Sequence, residues 1–111
     1  MIYKIFTTPE WQALRSDGHT NGAPVDLADG YIHFSTAAQV AETAAKHFAG
    51  ADGLWLIGVD PATLGDALMW EVSRGGAEFP HLYAPLSLDH VQWAQPLPLG
   101  DGGHVFPAGL T

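Results

Sequence analysis

The segment from Thr36 to Gly50 constrains this chain most. Ala37, Val40, Ala41, Ala44, Ala45 and Phe48 fall at i, i+3, i+4, i+7, i+8 and i+11, the spacing of one apolar stripe on an α-helix. Thr36 and Gln39 stand in capping-box positions ahead of it, Glu42 and Lys46 form an i,i+4 pair in the favourable order, and Gly50 is a fitting stop. On either side the period changes. Tyr31-Ile32-His33-Phe34-Ser35 reads as a strand with Ile32 and Phe34 on one face and Tyr31, His33 and Ser35 on the other. Leu54-Trp55-Leu56-Ile57-Gly58-Val59 is a continuous apolar run, as in a central strand covered on both faces. A strand, a helix and a buried strand in this order predict a chain that mixes the two kinds of element.

The remaining segments fit that frame. Ile2–Phe6 is β-branched and aromatic and predicts a strand. Thr8 as N-cap and Pro9 at the first helical position predict a short helix to about Arg15, burying Trp11 and Leu14, with Asp17-Gly18 as its stop. Gly18 to Gly30 reads as a long loop, of a length that often carries function. Leu68–Ser73 predicts a strand with Leu68, Trp70 and Val72 inward and Met69, Glu71 and Ser73 on the other face. Arg74-Gly75-Gly76 is a hairpin or loop. Phe79 to Leu86 is extended, but its two prolines place it at an edge or in an ordered loop. Val91–Ala94 predicts a last strand, and the Gly/Pro-rich tail adds an edge strand at Val105-Phe106. The expectation is one domain over residues 1–111, with small mixed or antiparallel sheets and two helices.

Charge and composition exclude several classes of function. Lys plus Arg is 4 against 12 Asp plus Glu, a net charge of −8. A uniformly acidic chain repels phosphate backbones and anionic lipid, so neither nucleic acid nor a membrane surface is an expected partner. There is no cysteine, which excludes disulfides, thiolate metal sites and a cysteine nucleophile. No targeting segment and no apolar run of ~18 residues is visible, so a cytoplasmic protein is expected. Phosphate-binding loops of the Walker type, GxGxxG, HExxH and GxSxG are all missing.

Chemistry concentrates in two clusters, Gly30 to Thr36 and Trp70-Glu71 through Arg74 to Tyr83. His33 shares a strand face with Tyr31 and Ser35 at the start of a helix, where free N–H groups favour a ligand; a core histidine bonded to a carbonyl is the competing reading. Thr36 is a helix cap or a ligand contact. Glu71 is a solvated strand carboxylate or a catalytic one. Arg74 is a turn charge or a steering group for an anionic ligand. His81 and Tyr83, two apart, share one face of a segment that prolines make rigid. His33, His81 and Glu71 hold metal donors without a local ligand spacing, so no metal is assigned. Ser35 and His81 form a nucleophile pair only in composition, since no nucleophile elbow is present.

These clusters, with Trp11, Gln39-Val40, Asp60-Pro61 and Leu64, resemble the small bacterial proteins of domain-of-unknown-function family 952, from Ile2-Tyr3 to about Pro98. The combination of Ile32-His33-x-Ser35-Thr36 with Phe79-Pro80-His81-x-Tyr83-x-Pro85-Leu86 carries the resemblance, with Ala84 where Gly is expected. The resemblance implies an α+β, ADP-ribosylation-like fold of two small sheets around a nicotinamide-dinucleotide cleft. It implies that His33 orients a ribose hydroxyl, that Ser35 and Tyr83 hold nicotinamide and that NAD is the cofactor, with Phe34 in place of a glycine. Glu71 is the candidate catalytic carboxylate for ADP-ribosyl transfer or hydrolysis. The expected ligand-binding set is Tyr31, His33, Ser35, Thr36, Arg74, His81 and Tyr83. A non-catalytic binder using the same pocket and an interaction protein pairing through the Val91–Ala94 edge are the alternatives.

Overall fold

From the N-terminus the chain forms β1 (Ile2–Thr7), α1 (Thr8–Asp17), β2 (His19–Thr20), α2 (Pro24–Asp29), β3 (Ile32–His33), β4 (Ser35–Thr36) and α3 (Ala37–His47). There follow β5 (Leu54–Val59), β6 (Leu68–Val72), β7 (Glu78–Leu82), β8 (Leu86–Ser87), β9 (Val91–Leu97), β10 (Leu99–Gly100) and β11 (Gly103–His104). The computed structural model describes residues 1–111 except for the side chain of Arg74. The fold is α+β with antiparallel sheets. The larger sheet has the order β4-β1-β5-β9, and the smaller one β3-β7-β6; β2 pairs with β8 and β10 with β11.

Strand β1 divides the core because successive side chains point to opposite faces. Ile2 and Phe6 pack with Trp11, Leu14, Ile32 and Phe34. Tyr3 and Ile5 pack with Val40, Ala44, Leu54 and Leu97 on the other side. The apolar run of β5 lies between β1 and β9, from Ile2↔Val59 to Thr7↔Leu54 on one side, and is covered on both faces. The tail closes the second cluster. Phe106 and Leu110 pack there, and the Tyr3 hydroxyl donates to the Thr111 carbonyl at 3.1 Å and accepts from the Thr111 N–H at 3.2 Å.

Several expectations shift. Helix α1 begins one residue early because Thr7, not Thr8, is its cap: Thr7 Oγ1 accepts from Glu10 N–H at 3.3 Å and Glu10 Oε1 from Thr7 N–H at 2.8 Å. It ends at Gly18, whose φ of 81° suits a residue without Cβ. The predicted loop from 18 to 30 contains a short strand and a third helix, α2, started by Pro24 and stopped by Gly30. The apolar stripe of α3 is narrower than its periodicity implies: Val40 and Ala44 are buried, Ala41 and Ala45 exposed. Trp70 and Val72 are exposed rather than inward, because β6 is the outer strand of a small sheet that leaves that face uncovered. The tail strands form at Leu99–Gly100 and Gly103–His104, not at Val105-Phe106.

Pro80 of β7 misleads most. The strand is central, between β3 and β6. The Pro80 carbonyl accepts from Phe34 N–H at 2.9 Å. A residue's N and O point the same way in a strand, so the missing Pro80 donor faces Phe34, and the one ladder bond it cannot give falls at the interruption between β3 and β4.

Candidate functional site

The register of the smaller sheet places both site clusters on one surface. His33 stands directly opposite His81, and Met69 opposite His81 on the far side, with Ile32 opposite Leu82 on the core face. Tyr31, His33, Glu71, His81 and Tyr83 therefore point to the same side of the sheet. The His33 and His81 rings meet edge to face, 5.3 Å between centroids. Tyr31 stacks on His81 at 4.2 Å and 20° and also touches His33 and Tyr83. Four rings from two chain segments thus form one packed cluster.

His33 ends a chain of charges that begins in the core. Lys4 and Asp26 are both buried, and Lys4 Nζ lies 2.7 Å from Asp26 Oδ2. Asp26 Oδ1 accepts from the His33 ring at Nδ1 (2.6 Å) and from the His33 backbone N–H (3.0 Å), and Oδ2 accepts from Ala23 N–H at 2.7 Å. His33 Nε2 lies 2.9 Å from Asp29 Oδ2. Both ring nitrogens thus face carboxylates, an arrangement that a ring with two N–H donors satisfies. Burial alone would push the Asp26 carboxyl up, but the hydrogen bond from His33 and the charge of Lys4 outweigh it and hold its pKa at about 2. Burial pushes the Lys4 ammonium below its ordinary value, against the pull of Asp26.

His81 is held differently. Glu71 Oε1 accepts from the Tyr83 hydroxyl at 2.7 Å and faces His81 Nδ1 at 2.9 Å. These two bonds, that of Tyr83 first, hold the Glu71 carboxyl below its ordinary range. The same carboxylate pushes the Tyr83 phenol up to about 12. Burial, then the charges of Asp29, Glu71 and Asp26, push the Tyr31 phenol up. Glu71 accepts only, so Nδ1 of His81 carries hydrogen; in the neutral ring Nε2 is then an acceptor. His81 is 3% exposed, and its Nε2 is buried with no hydrogen-bond partner. Such a nitrogen can accept a hydrogen bond from a ligand or take a proton from it, with Glu71 compensating the charge.

A cavity of about 530 Å³ lies against these groups, lined by Lys4, Glu10, Asp29, His33, Ser35, Thr43 and His81 among apolar side chains including Ile5, Phe34, Val40 and Phe79. His33, Ser35 and His81 share it as expected. Ser35 is buried and its Oγ lies 2.9 Å from Thr43 Oγ1; since Thr43 Oγ1 donates to the Gln39 carbonyl at 3.2 Å, the Ser35 hydroxyl is the donor. Tyr83 and Tyr31 line a second, smaller hollow of about 270 Å³ that His33 and His81 do not line. Thr36 serves α3: its backbone N–H donates to Gln39 Oε1 at 3.0 Å. Arg74 lies in the turn between β6 and β7, and its side chain is outside the described residues. Lys4, Asp26 and Asp29 are the residues that sequence reasoning missed. The readable signal was Lys4, a lone cation between Ile2 and Phe6 in an apolar strand.

Comparison with known proteins agrees with this architecture. The family described as "Protein of unknown function (DUF952)" matches residues 5–94, and the chain belongs to that family. It is similar to the X-ray structure of protein CC0527 from Caulobacter crescentus, with 48% identity, a TM-score of 0.89, and coverage of 93% of this chain and 90% of that one. The solution NMR structure of CC0527 from Caulobacter crescentus is also 48% identical, with a TM-score of 0.83 over 93% and 89% of the two chains. No curated protein matches. No helix is long and apolar enough to cross a membrane.

Proposed function

We propose that this DUF952 member binds a small molecule in the cavity before His33 and His81, with His81 Nε2 as the contact that orients it. The buried, unpartnered Nε2 carries the reading. Buried polar atoms without partners are few in folded proteins, and the residue that carries this one lines the cavity, where a ligand group would account for it. The cavity volume lies within the ~300–1,000 Å³ of small-molecule sites, and its wall is mostly apolar with a few convergent polar groups.

The ligand class implied by the resemblance is a nicotinamide dinucleotide or ADP-ribose, with ADP-ribosyl transfer or hydrolysis as the chemistry. Within that class the geometry redistributes the roles. Both ring nitrogens of His33 are engaged by Asp26 and Asp29, so the ring with a nitrogen to offer a ribose hydroxyl is His81. Glu71 acts through His81 as a positioning residue. Tyr83 and Tyr31 hold the pair, and Ser35 presents its oxygen lone pairs to the cavity.

The test is a thermal-shift titration of the full chain with NAD, ADP-ribose and nicotinamide, in wild type and His81→Phe. A ligand at ~100 times its Kd stabilises by ~2.7 kcal/mol, a rise of several degrees for a domain of this size. The expected result is a rise with at least one of the three that His81→Phe abolishes. No shift with any of them in folded protein removes the dinucleotide class, and a shift that survives His81→Phe removes His81 as the orienting contact.

A further inference from the structure

The cavity wall spends its positive charge internally. Lys4 Nζ is paired with Asp26 at 2.7 Å, and His33 is held between Asp26 and Asp29 at 2.6 and 2.9 Å. Glu10 and Asp29 add two carboxylates to the same wall; Glu10 Oε1 caps Thr7 N–H, and its charge also acts on Lys4. His47, exposed, and His81, held by Glu71, are the other basic side chains there. A phosphate or carboxylate entering this space would leave water to meet carboxylates and cations already paired, in a chain of net charge −8. The unpaired polar atom of a wall residue, Nε2 of His81, is an acceptor in the neutral ring. Glu71 fixes hydrogen on Nδ1 of His81, so the neutral ring turns a lone pair at buried Nε2 toward a donor.

We infer that the part of the ligand entering this cavity is an uncharged hydrogen-bond donor on an apolar frame, such as an amide, phenol or alcohol, and carries no phosphate or carboxylate. The inference rests on the small-molecule reading above and narrows it. For a dinucleotide, it places the pyrophosphate outside the cavity and only the amide or hydroxyl end within.

Matched fragments test it. The ¹⁵N-labelled full chain is titrated with nicotinamide and nicotinate, phenol and phenyl phosphate, and benzyl alcohol and benzoate. The readouts are the amide resonances of His33, Ser35 and His81 and the imidazole nitrogens of His81. At least one neutral member should saturate these amides at least about tenfold more tightly than its anionic partner, a preference of ~1.4 kcal/mol. The His81 Nε2 resonance should then move as a lone pair does on accepting a hydrogen bond. Anionic members that bind the same residues equally or better would overturn the inference and leave the binding site standing. If no member of any pair perturbs them, the binding reading itself falls and the inference with it.

Discussion

Replacing Asp26 with Asn tests the buried charge chain. The substitution preserves shape, removes the charge and turns one acceptor oxygen into an NH2 donor, so either the His33 pair of donors or Lys4 and Ala23 N–H lose their acceptor. It leaves the Lys4 ammonium, 7% exposed, without a counter-charge. Breaking a buried ion pair by removing one partner costs about 3–5 kcal/mol, or roughly 12 °C or more at ~4 °C per kcal/mol for a domain of this length. Lys4→Met should cost less, about 1–3 kcal/mol, because Asp26 keeps the His33 ring, the His33 N–H and the Ala23 N–H as donors. The pH profile supplies an independent check. The Asp26 pKa falls from 3.8 to about 2 on folding, so the unfolded chain holds that proton more tightly. The stabilisation is therefore full above about pH 4 and lost as pH falls through 2; at ~1.36 kcal/mol per pH unit it is worth about 2 kcal/mol. Urea unfolding followed by tryptophan fluorescence from pH 2 to 7 measures both. Asp26→Asn should flatten the acid limb between about pH 4 and 2, and Lys4→Met/Asp26→Asn should be more stable than Asp26→Asn alone. An Asp26→Asn variant within about 1 kcal/mol of wild type, with its acid limb intact, would refute the reasoning.

Glu71→Gln should lower the Tyr83 phenol from about 12 toward its ordinary 10, because the carboxylate that receives its hydrogen bond is gone. Ultraviolet titration of tyrosine ionisation, with Tyr83→Phe to identify the transition, reads this directly, and an unchanged Tyr83 transition would remove Glu71 as its partner. Gly58→Ala should cost about 1–3 kcal/mol through overpacking, because a Cβ there would stand 2.6 Å from Trp93 Cε2 and Trp93 is backed by Tyr3 at 5.8 Å. Urea midpoints measure the loss, and Trp93→Leu in the same chain should recover part of it; a midpoint equal to wild type would show that Trp93 can move away.

The elements that local chemistry specifies were legible, and those set by distant contacts were not. Helix α3 announces itself through the Thr36/Gln39 cap and its apolar repeat, and β5 through six residues suited to a two-sided core. Helix α2 is hidden, because its six residues have no apolar period and its one buried side chain is Asp26, which pairs with residues outside the helix. Its punctuation, Pro24 and Gly30, reads equally well as loop. The exposure of Trp70 and Val72 follows from where β6 sits in its sheet, which strand alternation alone does not encode.

The candidate site divides the same way. The residue types were readable, and so was the shared face of His81 and Tyr83. The pairings required the register His33↔His81, which spans 48 positions and depends on Pro80 aiming its missing donor at the interruption after β3. That register decides which histidine can meet a ligand. Opposite Asp26 and Asp29, His33 has two carboxylates for two ring nitrogens and is spent on holding α2 to the sheet. Its cross-strand neighbour has one carboxylate for two nitrogens. Two histidines on the strand face, met by Glu71 from β6 and by Asp26 and Asp29 from α2, thus leave one buried nitrogen over, the atom on which the proposed binding reading rests.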